Sequence, residues 1–252
     1  MTAKYLDKNL TDPISLDNIE INHFLYADDL VLMSQSPVGL QHCLNALQNF
    51  CKDWKLDINP NKIKVIVFCK KEIPDNTFGF YYSHNIIEIT DKYKYLGIVF
   101  KNTGLLKYAN ENLADKARKV FYSLKSKISQ SDKFSVKTWI KLYNSVILPI
   151  ITYGSEIWST DFNLNIDTLD KLPFEKVHNM IFKNILGVHG KASNLAINAE
   201  LGTFPSCFKS FILMFKYYNR LKRIEFDNVS RNSLLRSAFI EDKKLNKSLN
   251  KT

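Results

Sequence analysis

The sequence is poor in several features that mark particular protein classes. Only eight Gly and seven Pro occur among 252 residues, which argues against a β-rich or disordered chain. The cysteines Cys43, Cys51, Cys69 and Cys207 form no C-x-x-C pair, so no zinc knuckle is visible and buried free thiols are expected. No apolar run approaches the roughly 20 residues of a membrane span, and the polar start MTAKYLDKNLTDP lacks a signal-peptide core. An intracellular location, in cytoplasm or nucleus and without membrane contact, is therefore predicted.

Positive charge is what the chain has in excess. Lys and Arg number 35 against 25 Asp and Glu, for a formal net charge of +10. Because Lys and Arg near phosphates release condensed counterions, this balance favours a polyanionic partner such as nucleic acid. A Lys-rich soluble surface, or a compositional bias of the source genome, is the alternative interpretation of the charge.

Residues 1–104 follow the pattern of short strands with one helix. Residues 19–33 alternate between apolar and polar, break at two acids and resume, which predicts a β-hairpin with Asp28 and Asp29 at its turn. A Ser-Pro pair and apolar residues at helical spacing then predict an amphipathic helix. Strand-like stretches follow at 56–58, 63–68, 86–89 and 95–100, the last two read as a second hairpin. The order β-β-α-β-β-β-β predicts an antiparallel α+β fold.

Beyond Gly104 the hydrophobic period changes to 3.6 residues, which indicates helices. Prolines and glycines suggest where these helices begin and end. Helices are predicted at 113–128, at 134–146 ending before Pro149, from Pro173 to Gly187, and from Pro205 to about Ile224. The charged tail EDKKLNKSLNKT is expected to be mobile.

Two adjacent acids between apolar strands, in the segment FLYADDLVL at residues 24–32, carry the strongest chemical signal. Carboxylates at a hairpin turn can converge on one point, where they repel each other unless a cation lies between them. Mg²⁺ is the natural candidate, because it is a hard cation that prefers oxygen ligands. Two such metals can clamp the attacking and leaving oxygens in phosphoryl transfer. For the bare dipeptide, a polar turn without any metal is the alternative interpretation.

The pattern F-x-Y-A-D-D-x-x-L resembles motif C of reverse transcriptases, and the order of the segments after it strengthens the resemblance. The stretch LDINPNKIKVIVF at 56–68 resembles motif D of LINE-like enzymes, with Ile63 in place of the usual Thr. YKYLGI at 93–98 resembles motif E, the primer grip. LPIITYGSEIW at 148–158 and ELGTFP at 200–205 resemble segments that follow the thumb. The chain thus resembles the reverse transcriptase of non-LTR (LINE-like) retrotransposons over nearly its whole length.

This resemblance implies an α+β fold in which a partial reverse-transcriptase palm precedes an all-helical thumb and C-terminal helices. Residues 1–104 would form the partial palm with motifs C to E, residues 105–160 the thumb-like helices, and residues 161–252 a C-terminal helical region with a basic tail. The implied partners are an RNA template with a DNA primer, or an RNA/DNA hybrid. The implied cofactor is Mg²⁺.

The resemblance also implies roles for residues at matching positions. Asp28 and Asp29 match the metal-binding acids, with Asp28 as the direct ligand, and Lys62 matches the motif D lysine near the outgoing phosphates. The alternative for Lys62 is a solvated turn lysine, and for the primer grip an ordinary strand edge with a glycine bulge. The implied nucleic-acid-binding residues are Tyr26 beside the primer terminus, Lys64 in motif D, Tyr95, Leu96 and Gly97 in the primer grip, and Lys116, Lys119 and Lys125 on the thumb helix.

Two motifs of the family have no counterpart in this sequence. The 25 residues before Tyr26 resemble neither motif A, which supplies a third acid, nor motif B, which holds template and nucleotide. The metal site is expected to lack a ligand and the isolated chain to be inactive, while the remaining strands expose an edge and an apolar face. A non-catalytic nucleic-acid-binding remnant or interaction protein is the alternative, and an unrelated helical protein with a chance Asp-Asp turn is a third.

Overall fold

The computed structural model of the protein describes residues 2–17, 19–69, 78–104, 106–128, 134–159, 166–226 and 233–249. The chain divides into two compact units: unit 1 is Met1–Asp91 with Arg220–Thr252, and unit 2 is Lys92–Asn219. Both units contain helices and short strands, so the predicted α+β class is confirmed. The three domains drawn from the sequence stay a prediction.

Short strands and helices of very different lengths make up the described chain. The strands are β1 (Ile14–Leu16), β2 (Ile19–Ile21), β3 (His23–Tyr26), β4 (Asp29–Leu32), β5 (Lys64–Val65), β6 (Phe80–Tyr82), β7 (Asn85–Ile89), β8 (Lys92–Tyr95) and β9 (Ile98–Lys101). The helices are α1 (Thr2–Asn9), α2 (Pro37–Asp53), α3 (Lys107–Ile128), α4 (Val136–Leu142), α5 (Leu148–Ile151), α6 (Ser155–Trp158), α7 (Ile166–Leu169), α8 (Pro173–Leu186), α9 (Asn194–Leu201), α10 (Ser206–Phe226) and α11 (Ser233–Leu249).

The strands of unit 1 pair in three small sheets: β1 with β2, β3 with β4, and β5–β7–β6. Within the third sheet β5 runs parallel to β7, with Lys64 opposite Glu88. This corrects the prediction of a wholly antiparallel first part. β7 forms its hairpin with β6 and not with residues 95–100, which corrects the predicted pairing as well. Alternation in a strand reports which face is buried, not which strand lies beside it or in which direction.

Helix α2 begins as predicted, because Pro37 stands in its first turn and Ser36 Oγ accepts a hydrogen bond from the Gly39 amide at 3.1 Å. The Asp12 carboxylate adds a second cap. It accepts hydrogen bonds from the Ser36 hydroxyl at 2.6 Å, the Ser34 hydroxyl at 2.7 Å and the Ser36 amide at 2.8 Å. The hydrogen bond from the Ser36 side chain and then that from Ser34 lower the pKa of Asp12 below its ordinary value. The segment before β1 is thereby fixed to the start of α2.

Gly39 leaves no room for a side chain beneath this cap. A Cβ atom built at Gly39 would lie 2.6 Å from Asp12 Cβ and would also overlap the Asp12 carboxylate and the Ser34 hydroxyl. Gly39→Ala should therefore lower the free energy of unfolding by about 1–3 kcal/mol, although alanine is the better helix former. Urea unfolding followed by circular dichroism measures the change. Gly190→Ala is the control, since a Cβ there meets open space; equal stabilities for the two variants would contradict the steric argument.

The core of unit 1 lies between α2 and the β5–β7–β6 sheet. Helix α1, which the sequence did not predict, adds the fully buried Leu6 to this region. From β4, Leu30 and Leu32 pack against the same core and so anchor the β3–β4 hairpin on α2. The buried apolar members of the main cluster are Leu44, Leu47, Phe50, Cys51, Val65, Phe80, Tyr82 and Ile87.

The core of unit 2 is formed mainly by α3 and α8, with residues from the segment between α4 and α6. It encloses a buried polar pair in which Tyr143 Oη lies 2.6 Å from His178 Nδ1. His178 Nε2 lies 3.2 Å from Asn198 Oδ1 and donates a hydrogen bond to it in the tautomer that satisfies both ring nitrogens. Burial lowers the pKa of His178 to about 4, so the ring is neutral near pH 7.

Two expectations about the helical half are wrong. The second predicted helix does not stop before Pro149 but continues through a π-helical turn at Tyr143–Ile147 into α5. In that turn the Leu148 amide donates to the Tyr143 carbonyl, five residues back, and this wider turn accommodates the proline that follows. The charged tail is helical as far as Leu249, and Lys244 Nζ lies 2.7 Å from Asp17 Oδ1. The helices from Pro173 to Gly187 and from Pro205 to about Ile224 are confirmed.

Candidate active site and nucleic-acid interface

The hairpin that carries the two acids is present in unit 1 at β3 and β4. Its register pairs His23 with Leu32 and Tyr26 with Asp29, which leaves Ala27 and Asp28 as a two-residue turn. Ala27 has φ 54° and Asp28 does not have a positive φ, the sign pattern of a type II′ turn. The predicted hairpin is confirmed for residues 23–32, with Asp28 in the turn and Asp29 as the first residue of β4. Residues 19–21 belong instead to the hairpin with β1.

The surroundings of the acids are open to solvent. Both Asp28 and Asp29 are exposed, as are Phe24, Leu25 and Tyr26 of β3, with Tyr26 64% accessible. In the described chain β3 and β4 pair only with each other, so an exposed edge and an apolar face are found as expected. No three His, Cys, Asp or Glu side chains converge on a common point within the residues that the structure describes. The turn therefore offers two hard oxygen donors for a metal, and the described residues supply no third.

The segment that resembles motif D has no strand at residues 56–58 but contains a 3₁₀ turn, Pro60–Lys62. Asn59 Oδ1 accepts a hydrogen bond from the Asn61 amide at 3.0 Å and holds the turn, and Lys62 at its end is exposed. Lys64 lies on β5, where its ammonium group pairs with Glu88 at 2.5 Å. A phosphate at Lys64 would have to compete with that carboxylate.

The segment that resembles motif E forms the β8–β9 hairpin of unit 2. Its register pairs Tyr95 with Ile98, and both turn residues have positive φ, 46° at Leu96 and 85° at Gly97. Two positive φ values define a type I′ turn, in which glycine is favoured at the second position and leucine is unusual at the first. The turn therefore favours glycine at position 97. Gly97 lies in a hairpin turn and not in a strand-edge bulge.

A cluster of positive charge that the sequence reading missed lies where the β8–β9 hairpin meets α3. Lys92 and Lys101 are directly opposite in the hairpin register, and their ammonium groups lie 4.9 and 4.5 Å from the centre of the Tyr108 ring. Lys101 Nζ also donates to Tyr108 Oη at 3.0 Å. This hydrogen bond, together with the charge of Lys101, lowers the pKa of Tyr108 below its ordinary value. Cations gathered in this way attract phosphate groups.

The turn of this hairpin also contacts the segment LPIITYGSEIW, to which the sequence gave no role. Tyr153 Oη donates to the Leu96 carbonyl at 2.9 Å. A Cβ atom at Gly97 would lie 3.2 Å from Tyr153 Cε1, so the ring lies against the glycine. Only tertiary structure brings these positions together, because 57 residues separate Leu96 from Tyr153.

The lysines predicted to bind nucleic acid on α3 do not share one face. Lys116 and Lys119 are exposed and three residues apart, and Lys127 lies eleven residues after Lys116 on the same side of the helix. Lys125, two and a half turns from Lys116, lies on the opposite side, with its ammonium 2.5 Å from Asn184 Oδ1 on α8. The exposed basic face of α3 therefore consists of Lys116, Lys119 and Lys127, which we call the α3 basic face.

None of the described helices combines the length and the apolar character that a membrane crossing requires. The predicted location, in cytoplasm or nucleus, stays a prediction.

The known proteins to which the chain is similar are reverse transcriptases or derive from transposons. Residues 2–100 match the family described as reverse transcriptase (RNA-dependent DNA polymerase). The chain is 29% identical over 147 residues to a transposon-derived protein of Caenorhabditis elegans. It is 23% identical over 154 residues and 22% identical over 141 residues to the RNA-directed DNA polymerases from mobile element jockey of Drosophila melanogaster and Drosophila funebris.

These similarities cover just over half of the chain, 55%, 59% and 53% respectively. The chain spans about half the length of the Caenorhabditis relative, with 49% covered, and 17% and 15% of the two Drosophila proteins. No solved structure matches the chain. The similarity thus concerns part of each relative.

Proposed function

We propose that the chain supplies the motif C to motif E part of a LINE-like RNA-directed DNA polymerase, because residues 2–100 match the reverse transcriptase (RNA-dependent DNA polymerase) family. The recognition of a LINE-like reverse transcriptase from the sequence is confirmed by this match and by the relatives from mobile elements. The observation that carries the proposal is the β3–β4 hairpin, which presents Asp28 in a two-residue turn and Asp29 beside it.

Asp28 and Asp29 are the residues that would hold a divalent metal, with Asp28 as the direct ligand. Their adjacent, exposed carboxylates fit Mg²⁺, which prefers oxygen ligands and keeps several waters. When bound, Mg²⁺ would neutralise charge on the phosphates of the nucleotide. The exposed Tyr26 ring would lie against the primer terminus, and Lys62 would attract the outgoing phosphates.

The substrate we propose is an RNA template with a DNA primer, or the RNA/DNA hybrid. In unit 2 the turn at Leu96 and Gly97 would contact the primer strand beside Tyr95, and the α3 basic face would follow the duplex backbone. Contacts of this kind with phosphates fix position on a duplex and do not read its sequence. Binding should therefore be indifferent to base sequence and sensitive to salt.

The metal-binding part of the proposal can be tested without any activity. Mn²⁺, used as a paramagnetic probe in place of Mg²⁺, should broaden the amide resonances of residues 26–30 selectively, because Asp28 lies in the turn and Asp29 directly beside it. Changing both Asp28 and Asp29 to Asn should abolish that broadening. The matched control changes the exposed acids Asp53 and Asp57 to Asn and should leave it intact. Broadening that survives in the first variant, or that is equally strong around Asp53, would contradict the proposed site.

A second candidate function is nucleic-acid binding without catalysis. The observations that favour it are the α3 basic face and the Lys92, Lys101 and Tyr108 cluster, both of which are independent of the acids. The two functions differ in one measurable respect. Removal of Asp28 and Asp29 would leave a purely binding protein unchanged, whereas in a polymerase part it would remove the divalent-metal dependence of binding to a primed template.

A further inference from the structure

The segment from Leu148 to Trp158 contacts the β8–β9 hairpin at two successive positions. Besides the hydrogen bond from Tyr153 to the Leu96 carbonyl, Gly154 lies so close to β9 that a Cβ there would be 3.0 Å from Ile98 Cδ1. Gly154 also has φ 67°, so a side chain would be strained as well as crowded. The chain at Tyr153 and Gly154 thus lies directly against the hairpin turn.

The turn that receives this contact holds an unfavourable backbone conformation. Leu96, a residue with a bulky side chain, has φ 46°, a region that non-glycine residues rarely occupy. Such a conformation persists only where the surroundings hold it in place. The hydrogen bond from Tyr153 reaches the carbonyl of this same residue, and the Tyr153 ring closes off Gly97. Tyr153 therefore acts on the part of the hairpin that is least stable by itself.

The backbone of Tyr153 is bound by a residue of the unit 2 core. Trp158 Nε1 donates to the Tyr153 carbonyl at 2.8 Å, and Trp158 is only 1% exposed. The Trp158 ring packs on Phe174 of α8 with 5.5 Å between the ring centres. Tyr153 itself is 49% exposed. Because its backbone is fixed and its ring is half-exposed, Tyr153 contributes little to core packing. Its ring and hydroxyl contribute more to the position of the Leu96–Gly97 turn that they contact.

We propose that Tyr153 is a positioning residue, which sets the place of the Leu96–Gly97 turn and through it the contact of that turn with the end of a primer. The proposal rests on the proposed function of the β8–β9 hairpin as the primer-contacting element. Tyr153 need not touch the primer itself. Its effect is specific for duplexes that present a recessed 3′ terminus, since the duplex backbone elsewhere meets other residues.

The test uses the whole 252-residue chain and the variant Tyr153→Phe, which removes only the hydroxyl. Fluorescence anisotropy compares two probes: a DNA primer with a recessed 3′ end on an RNA template, and a blunt RNA/DNA duplex of the same paired length. We expect the preference for the recessed end to fall roughly 3- to 10-fold, the equivalent of one hydrogen bond, with unchanged affinity for the blunt duplex. Hydrogen exchange at residues 96–98 should accelerate in the same variant.

Two further variants separate a positioning role from a general loss of structure. Tyr122→Phe is the matched control, because Tyr122 Oη on α3 donates to Met180 Sδ on α8 at 3.4 Å and has no part in the hairpin. Gly97→Ala, which places a Cβ against the Tyr153 ring, should reduce the preference in the same direction as Tyr153→Phe.

The outcomes distinguish a failure of the function proposed for the hairpin from a failure of the role proposed for Tyr153. If the unchanged chain does not prefer the recessed end, the proposed function of the hairpin fails and this inference fails with it. If the unchanged chain prefers the recessed end and Tyr153→Phe retains that preference in full, only the role of Tyr153 is overturned. A loss of preference in Tyr122→Phe equal to that in Tyr153→Phe would overturn it too.

Discussion

Changing Lys116, Lys119 and Lys127 together to Glu should weaken binding of the chain to duplex nucleic acid on the order of 100-fold at about 0.1 M salt. The three ammonium groups lie on one exposed side of α3, so a duplex that follows this side meets all of them. Each phosphate contact contributes a slope of about −0.9 to the plot of log affinity against log salt. Loss of three contacts should therefore flatten that slope by about 2.7. Anisotropy titrations at four or five salt concentrations measure both quantities.

The matched control has the same net charge on a different surface. Lys171, Lys176 and Lys191 are also exposed in unit 2, and their joint change to Glu removes as much positive charge from the chain. If binding depends on the α3 basic face, this control should keep most of the salt slope. Equal losses in both variants would mean that overall charge and not the face determines affinity. Lys125→Glu, on the other side of α3, should have the smaller effect expected of a single peripheral charge.

The 252-residue chain assayed by itself should extend no primer when given Mg²⁺, dNTPs and an annealed RNA template. None of its residues resembles motif A or motif B, and the described residues bring no third carboxylate to Asp28 and Asp29. Catalysis of phosphoryl transfer consists almost wholly of positioning and charge neutralisation, so an incomplete ligand set lowers the rate by orders of magnitude. A gel assay with labelled primer measures extension over several hours.

Primer extension that depends on Asp28 would contradict this expectation. Template-dependent extension above background, lost on Asp28→Ala and retained on Asp53→Ala, would show that the two acids suffice and would overturn the expectation of inactivity. Extension that survives Asp28→Ala would point to a contaminating polymerase. Binding of the primed template should persist in both variants, because the α3 basic face is unchanged.

The elements that could be predicted from the sequence are those with a local signal. Alternation broken by two acids marked the β3–β4 hairpin, and the Ser-Pro pair marked the start of α2. Pro173 and Gly187 bounded α8 correctly, with Gly187 at φ 68° as its C-cap. In each case the residues that determine the geometry lie within a few positions of the element itself.

The elements that were missed depend on partners far along the chain. The parallel pairing of β5 with β7 places Lys64 beside Glu88, and a strand of two residues contains no information about its direction. The helix that continues past Pro149 depends on a π turn, which has no simple sequence signature. The charges of the tail EDKKLNKSLNKT suggest mobility, yet its residues as far as Leu249 form the second half of α11, and Lys244 pairs with both Asp17 and Glu241.

The candidate site likewise contains features with a local sequence signal and features that depend on distant residues. The acids and Gly97 followed from motifs, and the structure places Asp28 and Gly97 in hairpin turns and Asp29 at the start of β4. The separation of Lys125 from Lys116 could have been found by counting residues along the helix, since a spacing of nine places them on opposite sides. The contact of Tyr153 with the Leu96 carbonyl could not have been predicted from the sequence, because nothing local to either residue indicates the other.

Unit 1 is assembled from both ends of the chain, and this sets an order of synthesis and folding. Helix α11 packs on the β1–β2 hairpin, and the Lys244–Asp17 ion pair joins residues 227 positions apart. A ribosome completes residues 92–219, all of unit 2, before it makes α11. The contacts of β1 and β2 with α11 form only after that helix is made, and closing so long a loop costs entropy before any contact offsets it. Unit 2 can therefore fold during translation before α11 is made, whereas unit 1 is completed only once α11 has been made.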